Sequence, residues 1–200
     1  MSQKVHDYTK SCDVCQKVKN TPAQKAPLHP LPLAKHFERV HMDILGPLPT
    51  AKDNSKYILL VVDSFTKWPE AFPLKDQEAI TIANTLYKEI FTRYGAIKTL
   101  VSDRGANFMS KVVQSLCNLF KIKRYHTSSF HPQTNSTCER YNSFIAQTLR
   151  AYINDAQDNW PELLPGILMA FRLTPAKGSK FAPHKLLFGR DMSLPFDTSV

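Results

Sequence analysis

The chain has 200 residues, enough for one domain with a full hydrophobic core and an extension beside it. Lysine and arginine outnumber aspartate and glutamate 26 to 17, and the net charge of +9 favours a polyanionic partner through counterion release. No apolar run approaches membrane-spanning length, so no membrane partner is expected. The opening MSQKVHDYTK lacks the apolar stretch of a secretory signal, and four cysteines do not make a disulfide framework; a reducing, intracellular setting is expected.

Residues 1–19 carry a short helical pattern that ends in Cys12-Asp-Val-Cys15, a C-x2-C pair whose spacing suits half of a tetrahedral zinc site. Zinc needs two more ligands and His6 is the one local candidate, so zinc binding by this chain is not expected. Residues 20–36 hold four prolines and read as an extended linker, with the compact domain expected from about Phe37 onward. Short apolar, β-branched runs predict strands over 40–45, 57–62 and 68–73, the first ended by Gly46-Pro47 and the second by Asp63. Ile80, Ala83, Leu86, Tyr87, Ile90 and Phe91 recur at helical spacing, which predicts an amphipathic helix over 77–94 closed by Gly95. A fourth strand is expected over 99–102, and then a helix capped by Ser110 that carries Val112, Val113, Leu116, Leu119 and Phe120. A fifth strand follows over 122–126, then long helices over 134–154 and 160–173. On the first of these, Tyr141, Phe144, Ile145, Thr148, Leu149 and Tyr152 make the predicted core stripe, while Glu139, Asn142, Ser143 and Ala146 share a small, polar face. Residues 177–180 read as a polar loop. Three strands, a helix, a strand, a helix and a strand is the order of an RNase H-like α/β fold, a five-stranded mixed sheet flanked by helices.

Three acids stand out against this frame. Thr99-Leu-Val-Ser102 ends in Asp103, and Gly105 and Asn107 then break the pattern, as in a buried strand delivering a carboxylate at its carboxyl end. Asp43 is the single acid in the apolar run HMDIL, and Glu139 sits near the start of a long helix, with 35 residues between it and Asp103. Carboxylates from two strands and a helix suit hard divalent cations. Each also has a plainer reading, since an Asp ending a strand commonly forms a turn and a Glu on a helix is commonly solvated. Asp63 ends a strand too and is read as structural.

The spacing resembles the D,D-35-E catalytic core of integrases in the DDE polynucleotidyl transferase superfamily. The motifs HMDILGPLP, VVDSFTKWPEAFPL, SDRGANF, HPQTNSTCERYN, NWPELLPGILMAFR and LLFGRDMSLP, in that order over roughly residues 5–195, resemble the integrase of a gypsy-type LTR retrotransposon. The resemblance implies the same RNase H-like fold, here with a short N-terminal remnant of an HHCC zinc-binding domain over 1–19 that includes Cys12 and Cys15. The catalytic core and its extension are then expected over 37–200. It implies Asp43, Asp103 and Glu139 as catalytic residues and as ligands of two Mg2+ or Mn2+ ions. The implied reaction is hydrolytic trimming of a DNA 3′ end, then attack of the exposed 3′ hydroxyl on target DNA. Implied partners are the element's DNA ends, target DNA and further copies of the chain, at least a dimer. The implied location is the nucleus at integration, with a cytoplasmic particle beforehand.

Around the acids, Arg104, Asn107 and Arg140 are expected to steer phosphate. His131, Gln133 and Asn135 lie in the loop before the glutamate helix, where the family's DNA ends are touched; turn chemistry around Pro132 is the plainer reading. Lys121, Lys123 and Arg124 read as an electrostatic surface or a solvated strand edge. The family usually shows Asp-Gly or Asn-Gly where this chain has Asn135-Ser136, a change that disfavours φ > 0 in that loop. Cys138 is expected to be a small packed side chain, and Cys117 a core residue. Because the chain is read as starting inside the zinc domain, concerted joining of two DNA ends is expected to need flanking domains. The alternative function is a domesticated, inactive DNA- or protein-binding module. A ribonuclease H would need an acid of its own motif on the first helix, where only Glu78 and Glu89 stand.

Overall fold

Strands β1 (Arg39–Leu45), β2 (Tyr57–Asp63), β3 (Pro69–Leu74), β4 (Thr99–Ser102) and β5 (Lys123–His126) form one sheet in the order β3-β2-β1-β4-β5. This computed structural model describes residues 3–12, 34–103, 105–126, 136–176 and 179–194. The chain divides into units Met1–Pro32 and Leu33–Val200. In the first, α1 spans Gln3–Ser11; the proline-rich segment 20–33 lies outside the described residues.

The sheet is mixed because β1 pairs antiparallel with β2 and parallel with β4, and β4 pairs parallel with β5. Both its faces are covered, which explains why β2 reads as a continuous apolar run instead of an alternating one. Alternate residues still go to opposite sides. Leu59 and Val61 join Val40 and Met42 under Ile82, Leu86, Ile90, Val113 and Cys117. Ile58, Leu60 and Val62 pack beneath Tyr141, Ile145, Leu149, Trp160 and Leu164 on the other face.

The helices keep their expected places but differ in detail. Helix α2 covers 79–94, and its middle, Leu86–Phe91, is π-helical. The wider turn shifts the inward stripe to Ile82, Ala83, Leu86, Ile90 and Phe91, leaving Ile80 and Tyr87 exposed, against expectation. Helix α3 (Lys111–Leu119) is capped by Ser110, whose Oγ accepts from the Val113 N–H at 3.3 Å, and it buries Val113 and Cys117. Val112 and Leu119 face solvent. Helix α4 (Ser136–Tyr152) buries Cys138, Tyr141, Ile145 and Leu149, whereas Phe144 and Tyr152 are 43% and 71% exposed. Helix α5 (Trp160–Leu173) is anchored by the Trp160 indole N–H, which donates to the Pro49 carbonyl at 2.8 Å. A short helix α6 (Pro183–Phe188) was not legible in the sequence; it brings His184 and Phe188 against Trp68, with ring centroids at 6.3 and 5.4 Å.

Candidate active site

Strand register brings the two aspartates side by side. In the parallel pair, His41 lies opposite Val101, so two residues further on Asp43 of β1 comes alongside Asp103, which follows β4. Asp43 and His41 share one face of β1, the face covered by α4 and α5, since their antiparallel partners Leu60 and Val62 belong to that core. Helix α4 crosses this face and carries Glu139 in its first turn. Asn142, three residues later and on the same side, donates through Nδ2 to Asp43 Oδ2 at 3.0 Å. The Ile44 N–H donates to the other oxygen, Oδ1, at 2.9 Å.

Burial pushes the Asp43 carboxyl up to about 6; the Ile44 N–H works against this, and the charges of Asp103 and Glu139 add to it. The charges of two acids from separate elements therefore reach Asp43. Among the described residues, no three His, Cys, Asp or Glu side chains stand close enough together to share a metal ion. The donor type nevertheless suits a divalent cation: hard oxygens, one of them on a half-buried carboxylate that its neighbours repel. Beside it, the Asn142 side-chain oxygen is buried without a hydrogen-bond partner.

Asp103 is held by its own loop. Its Oδ1 accepts the Gly105 N–H at 2.9 Å, and a Cβ on Gly105 would come within 3.1 Å of that oxygen and 2.9 Å of Asn107 Oδ1. That is the physical reason for glycine in DRGANF. The backbone oxygen of Asp103 lies 3.0 Å from the Ser102 hydroxyl and 3.3 Å from His126 Nδ1. With Nδ1 as the protonated nitrogen, His126 Nε2 accepts from Arg124 Nη2 at 3.4 Å, and Arg124 also donates to the Phe108 carbonyl at 2.5 Å. Arg124 is therefore a tie between β5 and the Asp103 loop, which corrects the reading of a general electrostatic surface. This bond was not legible in the sequence, because it joins residues with no shared motif.

The neighbours of the acids are inert groups. His41, two residues from Asp43, is buried and held down to about 4, by burial first and then by Lys67 and Arg39; its Nδ1 has no hydrogen-bond partner. Cys138 is fully buried and its thiol is pushed far up, by burial first and then by Asp43 and Glu139, so it is packing rather than nucleophile. Asp63 is structural as expected: its carboxylate accepts from the Phe37 N–H at 2.9 Å and from the Thr66 N–H and hydroxyl at 2.8 and 2.6 Å.

Of the expected DNA contacts, Asn107 donates to Gln77 Oε1 at 3.3 Å, tying the Asp103 loop to the segment before α2. Arg140 is exposed and lines a cavity with Lys67, Tyr141 and Phe144. Arg104, His131, Gln133 and Asn135 lie outside the described residues, as does Cys15; Cys12 is partly buried.

The integrase core domain family matches residues 34–132. The chain is 30% identical over 196 residues to the retrovirus-related Pol polyprotein from transposon 412 of Drosophila melanogaster, a match covering 98% of this chain and 16% of that protein. It is 36% identical over 148 residues to the Gag-Pol polyprotein of feline leukemia virus, covering 72% and 9%. It is also 28% identical over 196 residues to gypsy retrotransposon integrase-like protein 1 of Bos taurus, covering 98% and 39%. The chain thus spans well under half the length of each of these relatives. Its fold is similar to that of a chain in the simian T-cell lymphotropic virus intasome complex with the PP2A regulatory subunit B56 gamma. There the TM-score is 0.72 at 17% identity, over 96% of this chain and 68% of that one. It is likewise similar to the BIV integrase catalytic core domain, with a TM-score of 0.57 at 19% identity over 75% and 93%. The mixed sheet with helices on both faces is the RNase H-like fold of these integrase cores, and the chain belongs to the integrase core family of retroviruses and gypsy-type retrotransposons.

Proposed function

We propose that this chain joins retroelement DNA to target DNA by metal-dependent phosphoryl transfer, with Asp43, Asp103 and Glu139 as the catalytic acids. The observation that carries the reading is electrostatic: Asp103 and Glu139, from a strand end and a helix, both bear on the half-buried Asp43. Hard carboxylate oxygens in mutual repulsion are the donor set that two Mg2+ or Mn2+ ions take. Such ions, when bound, neutralise phosphoryl oxygens and favour the deprotonated form of an attacking oxygen.

The remaining work is positioning. Asn142 and the Ile44 N–H fix the Asp43 carboxylate from both sides, and the Gly105 N–H fixes Asp103. Arg124 and His126 hold the backbone on which Asp103 sits. The same arrangement serves two displacements. In end trimming the nucleophile is water; in joining it is the freed DNA 3′ hydroxyl. Neither requires a covalent enzyme intermediate. The charge of +9 suits DNA, both element ends and target, and Arg104, His131, Gln133 and Asn135 are assigned to the strand near the acids. A homo-oligomer, at least a dimer, working in the nucleus completes the proposal.

Labelled element-end DNA incubated with the chain and Mg2+ or Mn2+ tests it. Trimmed and joined products are expected from the wild type, and their loss from Asp43→Asn, Asp103→Asn and Glu139→Gln. The losses should not add when the changes are combined, because the three acids act as a unit. Undiminished products from any one variant remove that residue from the site. DNA binding without cleavage by the wild type would favour a binding module instead.

A further inference from the structure

A cavity of about 450 Å3 lies between α4, α5 and the turn from β2 to β3, lined by Lys67, Arg140, Tyr141, Phe144, Phe171 and residues 174–176. Its wall is aromatic. The Phe171 ring centroid lies 4.4 Å from Tyr141 and 4.7 Å from Phe144, at 56° and 57°. The Tyr141 hydroxyl donates to the Lys67 carbonyl at 2.6 Å, which fixes the wall to the turn. Phe144 leaves 43% of its surface exposed.

Its rim is cationic. Lys67 stands at φ 62° in the tight turn and donates through Nζ to the Ser64 carbonyl at 2.8 Å. Arg140 is near enough for its charge to add to the effect of burial in lowering the Lys67 pKa. Among the described residues neither cation forms an ion pair with a carboxylate. Asp63 also bears on Lys67, but both its oxygens are engaged by Phe37 and Thr66. Two neighbouring cations beside an open ring wall call for a ligand that is anionic and planar at once. A nucleotide has both parts, and its base can stack on such a wall whatever its identity. Arg140 also follows Glu139 on α4, about 100° around the helix, so a strand presented to the carboxylates passes close by.

We propose that this cavity holds one unpaired nucleotide of the DNA strand presented to the carboxylates, its base on Phe144 and Phe171 and its phosphate between Lys67 and Arg140. The proposal rests on the DNA reading above and adds a subsite to it. The test compares a DNA duplex carrying a short single-stranded overhang with a blunt duplex of equal length, by fluorescence anisotropy with the whole chain. The overhang should tighten binding about tenfold, the size of one base stacking on an aromatic side chain. Phe144→Ala should erase that advantage and leave blunt-duplex affinity unchanged, while Phe144→Tyr should keep it. Lys67→Gln and Arg140→Gln should each reduce it and flatten its salt dependence. A photoreactive 5-iodouracil in the overhang should crosslink to Tyr141, Phe144 or Phe171. Equal affinity for the two duplexes, an advantage that survives Phe144→Ala, or crosslinks elsewhere would overturn the subsite. If the chain still trims and joins DNA, only the subsite falls; if it binds neither duplex, the DNA reading falls with it.

Discussion

Asp43 has a donor on each oxygen, the Ile44 N–H on Oδ1 and Asn142 on Oδ2, so its rotamer is set before any substrate arrives. Asn142→Ala removes one donor to a charged acceptor at the edge of the core. We expect the joining rate to fall about tenfold, the kinetic equivalent of roughly 1.4 kcal/mol of lost positioning, with the melting temperature nearly unchanged. A matching loss of stability and rate would make Asn142 merely structural. Gly105 tests the same idea at the other aspartate. Its backbone is not in the left-handed region, so the only obstacle to a side chain is space: Asp103 Oδ1 at 3.1 Å and Asn107 Oδ1 at 2.9 Å. Asn107 can swing aside, whereas Asp103 must give by a few tenths of an ångström. Gly105→Ala should therefore cost at most about 1 kcal/mol of stability, within the range of ordinary substitutions, yet cut joining severely. Wild-type rates in that variant would show that the carboxylate position tolerates the shift.

At the scale of elements, Glu70 is the side chain that fastens α2 and α5 to the sheet edge. It is 4% exposed on β3 and accepts from the Trp68 indole N–H at 3.0 Å, from the Tyr94 hydroxyl, and from Arg172 Nη2 at 2.8 Å. Arg172 also lies 4.2 Å above the Trp68 ring. Arg172→Met leaves the buried carboxylate with the more exposed Arg93, 3.6 Å from Oε1, as its remaining cation, and should cost about 3 kcal/mol, read by urea denaturation. A cost under about 1 kcal/mol would show the Glu70 charge to be satisfied by the other donors. Tyr94 gives a pH signature. Its hydroxyl is pushed up to about 12, by burial first and then by the hydrogen bond to Glu70 and its charge. The fold favours the neutral phenol, so this contribution is complete below the ordinary value of 10.0 and is lost as pH rises through about 12. Tyr94→Phe should flatten the fall in stability across that window, and the late step in absorbance at 295 nm should shrink to the part that Tyr141, also pushed up to about 12 by burial, contributes. An unchanged alkaline profile would rule Tyr94 out. None of these ties was legible in the sequence, and the reason is separation: Asn142 is 99 residues from Asp43, and Arg172 is 102 from Glu70. The strands were legible because a sheet covered on both faces makes continuous apolar runs, against which single acids such as Asp43 and Asp103 stand out. Helical stripes were legible only where the helix stays regular and its face is covered. The π-helical turn of α2 replaced Ile80 and Tyr87 by Ile82, and the cavity beside α4 left Phe144 outside.

For the unit Leu33–Val200 as a whole, the acids are a load carried by two apolar cores. One lies on each face of the sheet, and β1 sits between them with Asp43 on the α4 side. Stability is a small difference between large terms, so one half-buried, repelled carboxylate is a measurable fraction of it. Asp43→Asn removes that charge while keeping an oxygen for the Ile44 N–H to meet. In chelator at neutral pH this variant should melt higher than the wild type by on the order of 1 kcal/mol, about 2–4 °C for a domain of this size. Adding Mg2+ or Mn2+ should then raise the wild-type melting temperature with cation concentration, because an ion that binds only the folded acids stabilises by mass action. The variant should respond far less, and the order of the two curves should reverse at high cation. Calorimetry over a cation series reads both effects without any DNA present, so it separates the state of the acids from the chemistry they perform. If the wild type already melts above Asp43→Asn in chelator, the acids are not a strained set. If neither curve moves with Mg2+ or Mn2+, the carboxylates do not take up these ions in the absence of DNA.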